Sequence, residues 1–316
     1  SAIPGDNAFP ILGLGDEVLD ISVTPDRGYA LSMRGMAREA AISQRVSFTD
    51  PGVALPELPE AGGTVIPAAS DDYQACDLLV LRTLGNYNPA APTPDFIKAR
   101  LAAVGVRSIS LAVDLTNYVM FELGQPLHAF DADVITGGLR VARANKFSKL
   151  VTLDKVERKL SADNLLICDT NSALALAGTM GGLASEVTSQ TTKIALEAAH
   201  FDPISIARNS RFHKLSSEAS RRMERNTDPA LTEIASARAA QLLIDLAGAK
   251  YLGSAFAGLA IKPRKIKISV EKVCELIGAK YTLKQVKDAL ILIGCKVTGS
   301  GSIITIEVPT WRPDFR

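Results

Sequence analysis

A chain of 316 residues that is 47% hydrophobic and 22% charged, with 35 basic against 34 acidic side chains, has the composition of an ordinary soluble protein of two or three domains. It is too long for a disulfide-stapled miniprotein, contains no apolar run able to cross a bilayer and opens on no signal-peptide pattern. The cysteines at 76, 168, 274 and 295 form no CxxC pair and have no His at zinc spacing, so they read as reduced, buried thiols of a cytoplasmic protein without structural zinc.

In residues 1–46, the stretch 18–23 alternates as a strand, Pro25 and Asp26 turn the chain, and Ser32 caps a helix running to Ile42. IITIEVPTWRPDFR repeats that order around Pro313 and Asp314, which predicts an internal duplication. The chain opens on Ser1 and Ala2 without Met and stops at Arg316 where a second helix is expected, so it reads as an excised part of a longer polypeptide. Residues 47–68 are rich in Pro and Gly without periodicity and read as a linker.

Residues 69–255 mix strand and helix signals. A buried strand is predicted over 78–84, then a helix with Pro94 at its first position whose Phe96, Ile97, Leu101 and Val104 share a face until Gly105. Asp114 or Thr116 caps the next helix, which Gly124 and Pro126 stop after Leu123. His128 then falls just outside a helix end, as a structural hydrogen-bond partner or a catalyst. Together with Asp131 and Asp133 it has ligand-type chemistry, but no further His or Cys nearby completes a metal set. Asp202-Pro203 and Asp228-Pro229 each start a helix, the second with Leu231, Ile234, Leu242, Leu243 and Leu246 toward a core before Gly248. Without a regular βαβ repeat the fold class is α+β, a central mixed α/β domain flanked by small strand-helix modules. Residues 256–316 predict a strand, two short helices and a hairpin, a winged-helix-like outline that touches nucleic acid or serves as packing.

Chemistry concentrates in residues 174–225. An apolar run enters a turn with Gly178, Gly181 and Gly182, where the missing Cβ lets a ligand approach the main chain. IALEAAHF then carries a lone acid, Glu197, on a mostly buried strand; such a carboxylate is either satisfied by local backbone or by Arg208, Arg211, Arg221 or Arg222, or it faces a ligand. Basic residues crowd 208–225 and again 262–272, as phosphate-binding patches or solvated helix faces. No G-x-S-x-G, Walker A or H-E-x-x-H motif is present, which removes the common serine-hydrolase, P-loop and zincin readings.

DLTNYVMFELGQPLHAFDAD (114–133), ALAGTMGG (175–182), LSSEASRRMER (215–225) and VPTWRPDFR (308–316) strongly resemble bacterial phenylalanyl-tRNA synthetase β subunits, and the likeness runs over nearly the whole chain from about Glu17. The resemblance implies that 69–255 is the tRNA-editing domain, 256–316 a truncated DNA-binding-like domain, and 1–46 part of the family's first domain without its OB-fold insert. It implies hydrolysis of tyrosine mischarged on the phenylalanine tRNA, because a hydrophobic synthetic pocket rejects an added hydroxyl by only about 10²-fold. In that family Glu197 looks like the acid that reads the phenol, Gly178 and Gly181 the glycines that leave room for the ring, and Ala219 the small residue on the pocket wall. His128 looks like the histidine near the ester, and Ser217 stands where Thr is also found; as bare residues Ser217 reads as a helix N-cap and Ala219 as a packing residue. The implied partners are the phenylalanine tRNA and the α subunit of an α2β2 parent, with no membrane. ATP and magnesium belong to the parent's synthetic site, and no cofactor to this part. The alternative is a non-catalytic tRNA-docking and subunit-packing scaffold; an unrelated hydrolase using His128 with an Asp is a third.

Overall fold

In the computed structural model, which describes residues 3–11 and 17–315, the N-terminal module is helical and contains no strand among those residues. The readings that rest on Ser1, Ala2 and Arg316 lie outside the described residues. One turn, α1 (Ala8–Ile11), comes first. The strand expected over 18–23 does not form, and Val18, Leu19 and Ile21 are exposed. Alternation makes a strand only where a neighbour takes its N–H and C=O groups. Pro25–Ala30 is a 3-10 turn, and α2 (Met33–Gln44) follows with Ser32 as N-cap accepting from the Gly35 N–H at 3.0 Å.

The central domain has three layers. Chain order gives β1 (Ala68–Ser70), β2 (Cys76–Gly85), α3 (Asp95–Ala103), α4 (Leu111–Leu123), β3 (Leu127–Asp131), β4 (Leu139–Arg143), β5 (Lys149–Val151), β6 (Glu157–Lys159), β7 (Leu165–Cys168), β8 (Ala173–Leu176) and β9 (Met180–Gly181). Then come β10 (Ile194–Phe201), α5 (Pro203–His213), α6 (Glu218–Met223), α7 (Leu231–Ala247) and β11 (Lys250–Gly258), which carries the sheet past residue 255. An antiparallel sheet, β11-β2-β10-β3, packs one face on α3, α4 and α7 through Leu84, Ile194 and Leu196. Its other face packs through Leu79, Ala195, Ala199 and Phe130 on a second sheet, β1-β4-β7-β8-β9. The period-2 alternation of β10 thus sends Ile194 and Leu196 to the helices and Ala195, Glu197 and Ala199 between the sheets. Among the described pairings only β1 with β4 is parallel, and the α+β class stands.

Local differences from the expected helices have identifiable causes. Pro94 is the cap of α3 and not its first residue, and only Ile97 and Leu101 of the expected face are core; Phe96 and Val104 are exposed. Asp114 and Thr116 lie inside α4, which starts at Leu111. The fully buried Asp114 carboxylate takes the Ile109 N–H and the hydroxyls of Thr93 and Ser108, pinning the loop before the helix. Helix α7 begins two residues after Pro229, where Asp228 accepts from the Ala230 N–H.

The last module is β12 (Lys265–Ser269), α8 (Val270–Ile277), α9 (Leu283–Leu292), β13 (Lys296–Thr298) and β14 (Ile303–Glu307), with antiparallel order β12-β14-β13. Ser269 caps α8, and Thr282 with Gln285 forms a capping box on α9. The predicted strand joins the hairpin in one sheet, a winged-helix-like arrangement. A strand stands before Pro313 and Asp314 but, among the described residues, none before Pro25 and Asp26, so the two segments share residue order without sharing structure.

Buried charge ties the modules together. Arg34 donates to Asp50 at 2.6 Å and to Asp228 at 3.3 Å, Arg38 shares Asp50, and the Arg38 guanidinium lies 3.9 Å from the Trp311 ring centroid. Burial alone would raise the Asp50 carboxyl; bonds from Arg34, the Gly52 N–H and the charge of Arg38 outweigh it and hold it below its usual range. Replacing Asp50 by Ala leaves Arg38 without its carboxylate and is expected to cost about 3 kcal/mol, read as a lower urea midpoint at neutral pH. A depressed carboxyl contributes stability above its unfolded-state pKa and loses it as pH falls through the folded-state value. The gap between wild type and Asp50→Ala should therefore close in acid; a gap constant with pH would refute the linkage.

Candidate functional site

The site grows from one register. Strands β3 and β10 are antiparallel with His128 directly opposite Glu197, so both side chains leave the sheet on the same face, into the space between the two sheets. Where the turn between β8 and β9 fails to fill that space, a cavity of about 300 Å³ opens. Helix α4 supplies one wall through Thr116, Asn117 and Met120, and the first turn of α6 another through Ser217, Glu218 and Ala219. All six residues singled out from the sequence, His128, Gly178, Gly181, Glu197, Ser217 and Ala219, line this one cavity.

Its electrostatics follow from exclusion of water. Glu197 is 5% exposed, makes no hydrogen bond or ion pair among the described residues, and is pushed up to about 8 by burial. The arginine clamp does not form: Arg221 and Arg222 engage Glu218, and Arg222 also donates to the Leu31 carbonyl. Burial pushes His128 down to about 4, and its Nε2 is buried without a partner. Burial thus favours the neutral form of both the acid and the imidazole, and both lack protein partners that buried polar groups ordinarily have. A larger cavity of about 550 Å³ opens beside His200, but there His200 is bonded to Asp77 and Asn226, so the unsatisfied chemistry is at Glu197.

The glycines act differently from a simple vacancy. A Cβ on Gly181 would stand 2.5 Å from His128 Cε1 and 2.7 Å from its Nε2, so the space above this glycine is taken by the imidazole. Gly178 sits at φ +58, and its Cβ would meet Ile206 Cδ1 at 2.9 Å. The N–H groups of Ala177, Thr179 and Gly182 are already bonded to the carbonyls of Leu165, Leu176 and Leu174, so these three are not free for a ligand.

Ser217 caps α6. Its hydroxyl donates to the Thr179 carbonyl at 2.9 Å and accepts from the Ser220 N–H at 3.0 Å, tying the helix wall to the glycine turn. That hydroxyl is fully committed, and in this state it holds the wall without offering a nucleophile. Ala219, in the same turn, is half-buried and faces the cavity. Asp131, paired in the sequence with His128 as a ligand type, accepts from Thr191 and from the Asp133 N–H. Among the described residues no group of three His, Cys, Asp or Glu is arranged to hold a metal. Thr116 and Asn117 escaped the sequence reading as cavity residues; the available signal was a polar pair between apolar residues of the helix.

Comparisons with known proteins bear on the family of the chain. Residues 75–248 match the B3/4 domain, and residues 266–316 match the tRNA synthetase B5 domain. The phenylalanine-tRNA ligase β subunit of Cutibacterium acnes is 45% identical over 313 residues, 99% of this chain and 37% of its own length. That of Thermobifida fusca is 46% identical over 316 residues, 99% of this chain and 38% of its own. The chain therefore spans under two-fifths of the length of these relatives. A crystallised N-terminal fragment of the phenylalanyl-tRNA synthetase β subunit from Pyrococcus horikoshii is 14% identical and aligns over 93% of this chain and 82% of that one, with a TM-score of 0.42. With a B3/4 domain over more than half its length and a B5 domain after it, the chain belongs to the phenylalanine-tRNA ligase β-subunit family.

Proposed function

We propose that the Glu197 cavity hydrolyses the ester of tyrosine wrongly attached to the phenylalanine tRNA, as the editing site of a ligase whose α subunit is a separate chain. The observation that supports this reading is a buried acid without a protein partner, standing beside a buried neutral imidazole in a cavity at the small end of ligand size. ATP and magnesium, in this reading, serve the synthetic half of the parent enzyme and enter no step here.

The tyrosyl ring lies along the cavity with its hydroxyl at Glu197. At pH 7 the acid is neutral, so it both donates to and accepts from the phenol, while phenylalanine leaves it unsatisfied. His128, on the neighbouring strand, stays unprotonated and can accept a proton from water or from the terminal ribose. An aminoacyl ester is already reactive, so orientation and water delivery suffice without a covalent intermediate. Ser217 and Gly181 position the parts: the first fixes the α6 wall, the second leaves room for the imidazole.

Two measurements test the reading. Ala219→Trp places an indole in the cavity from the rim helix and should lower tyrosyl-tRNA deacylation by at least about 10²-fold with the unfolding midpoint little changed. Equal turnover in wild type and variant would sink the editing site, and no turnover in either would leave a packing and docking scaffold. The second is pH dependence. As pH rises through about 8 the Glu197 carboxylate forms, accepts the phenol proton more strongly and is costlier to leave unpaired against phenylalanine. The tyrosyl over phenylalanyl ratio of kcat/KM, after subtraction of spontaneous hydrolysis, should therefore climb severalfold between pH 7 and pH 9. Glu197→Gln should flatten that climb; a ratio equally steep in the variant would show that another group sets it.

A further inference from the structure

We propose that the outer face of α5 is the docking track for the single-stranded 3′ end of the RNA as it enters the Glu197 cavity. The inference rests on the cavity being the ester-hydrolysing site, and adds the surface by which the substrate arrives. Ile204, Arg208, Arg211 and Phe212 recur at helical spacing and are exposed along one stripe, with Lys214 just past its end. Ile204 is 63% and Phe212 57% exposed, and the helix carries no acidic residue from Pro203 to His213. Among the described residues no carboxylate lies within ion-pair reach of Arg208, Arg211 or Lys214, whereas Arg221 and Arg222 are both engaged by Glu218.

An ordinary solvated helix face mixes both signs of charge and keeps large apolar side chains apart. This stripe has one sign only and an aromatic ring beside the guanidinium groups. Unpaired Arg and Lys draw phosphates, and an exposed ring offers a stacking platform for a base, which together are the requirements of single-strand binding. The stripe also leads to the cavity. Arg158 donates to the His213 carbonyl at the end of α5, and the same guanidinium bonds Thr152, next to the cavity residue Leu153. Three residues beyond Lys214, Ser217 begins the α6 wall. A strand lying on α5 therefore points its terminal nucleotide at the cavity mouth. Charge complementarity selects RNA over a protein surface here, since a subunit contact would call for acidic partners and for burial of both apolar side chains.

Fluorescence anisotropy with labelled phenylalanine tRNA, read as a function of salt, tests the track on the 316-residue chain. Arg208→Glu with Arg211→Glu should weaken binding by at least about tenfold and lower the slope of log K against log salt by about 1.4, the value for two lost single-strand phosphate contacts. Phe212→Ala should weaken binding about tenfold with the slope unchanged. Reversing Lys262 and Lys267 in the last module should leave both quantities near wild type. Transfer RNA lacking its single-stranded 3′ end should bind wild type weakly and be indifferent to the α5 variants. Wild-type affinity in the double variant, equal weakening with truncated tRNA, or no tRNA binding by the wild type would each overturn the track. Hydrolysis of tyrosyl-adenosine, which carries no phosphate, tests the cavity separately. Its absence sinks the cavity reading and with it the destination of the track, while its persistence with unchanged tRNA binding in the double variant sinks the track alone.

Discussion

The arrangement depends on placing Glu197 and His128, both without protein partners, side by side on adjacent strands against one cavity. A buried polar atom without a partner, such as His128 Nε2, costs about 1–3 kcal/mol, a substantial part of the stability of a domain. The fold tolerates this because the groups stand between two sheets whose other facing residues, Leu79, Phe130, Ala195 and Ala199, form a continuous apolar layer. The arginines that the sequence offered as a clamp are held elsewhere: Arg221 and Arg222 engage Glu218, and Arg222 also donates to the Leu31 carbonyl. The unsatisfied state is thus a property of the whole packing, and a ligand that supplies the missing bonds recovers the cost on binding.

Small residues do the complementary work. Ala175 and Gly181 on the second sheet keep side-chain bulk away from the acid, and the imidazole of His128 sits directly over the Gly181 Cα. A methyl at Gly181 would contact the ring before it contacted any ligand, so this glycine governs the orientation of the histidine more directly than the width of the cavity. Ser217 plays a parallel part on the opposite wall. By bonding the Thr179 carbonyl it makes the position of α6 depend on the conformation of the glycine turn, and Ala219 moves with it.

Much of this was legible in the sequence, for physical reasons that differ from element to element. The IALEAAHF run announced a buried strand with one acid because alternation and apolarity are local properties. Ser32 and Asp202 announced helix starts for the same reason, since a cap bonds within three residues. The pairing of His128 with Glu197 was not legible from pattern alone, because register between strands distant in sequence is set by the assembled sheet; the family resemblance brought the two residues together. The stretch 18–23 failed as a strand because, among the described residues, no strand pairs with it, which composition cannot report. For Ser217 the bland reading, an N-cap, is the observed geometry, and the cap is also what shapes the wall. The glycines could be read as space, but not as space already occupied by an imidazole.

In the proposed editing reaction, the protonation state alters how the site selects tyrosine over phenylalanine. An ionised carboxylate reads a phenol by accepting one strong hydrogen bond, and stays expensive when facing an apolar ring. Burial pushes the acid here up to about 8 and so favours its neutral form. A neutral acid left unpaired against phenylalanine loses about 1–3 kcal/mol, roughly five- to 150-fold in relative affinity. Stronger discrimination requires the phenol itself to draw the acid toward ionisation as it binds, with the charge shared along a short hydrogen bond in a dry cavity. Selectivity then belongs to the closed complex of acid and phenol rather than to the empty acid, and anything that admits water beside Glu197 erodes it from both directions: the empty site becomes cheaper, and the bond to tyrosine weaker.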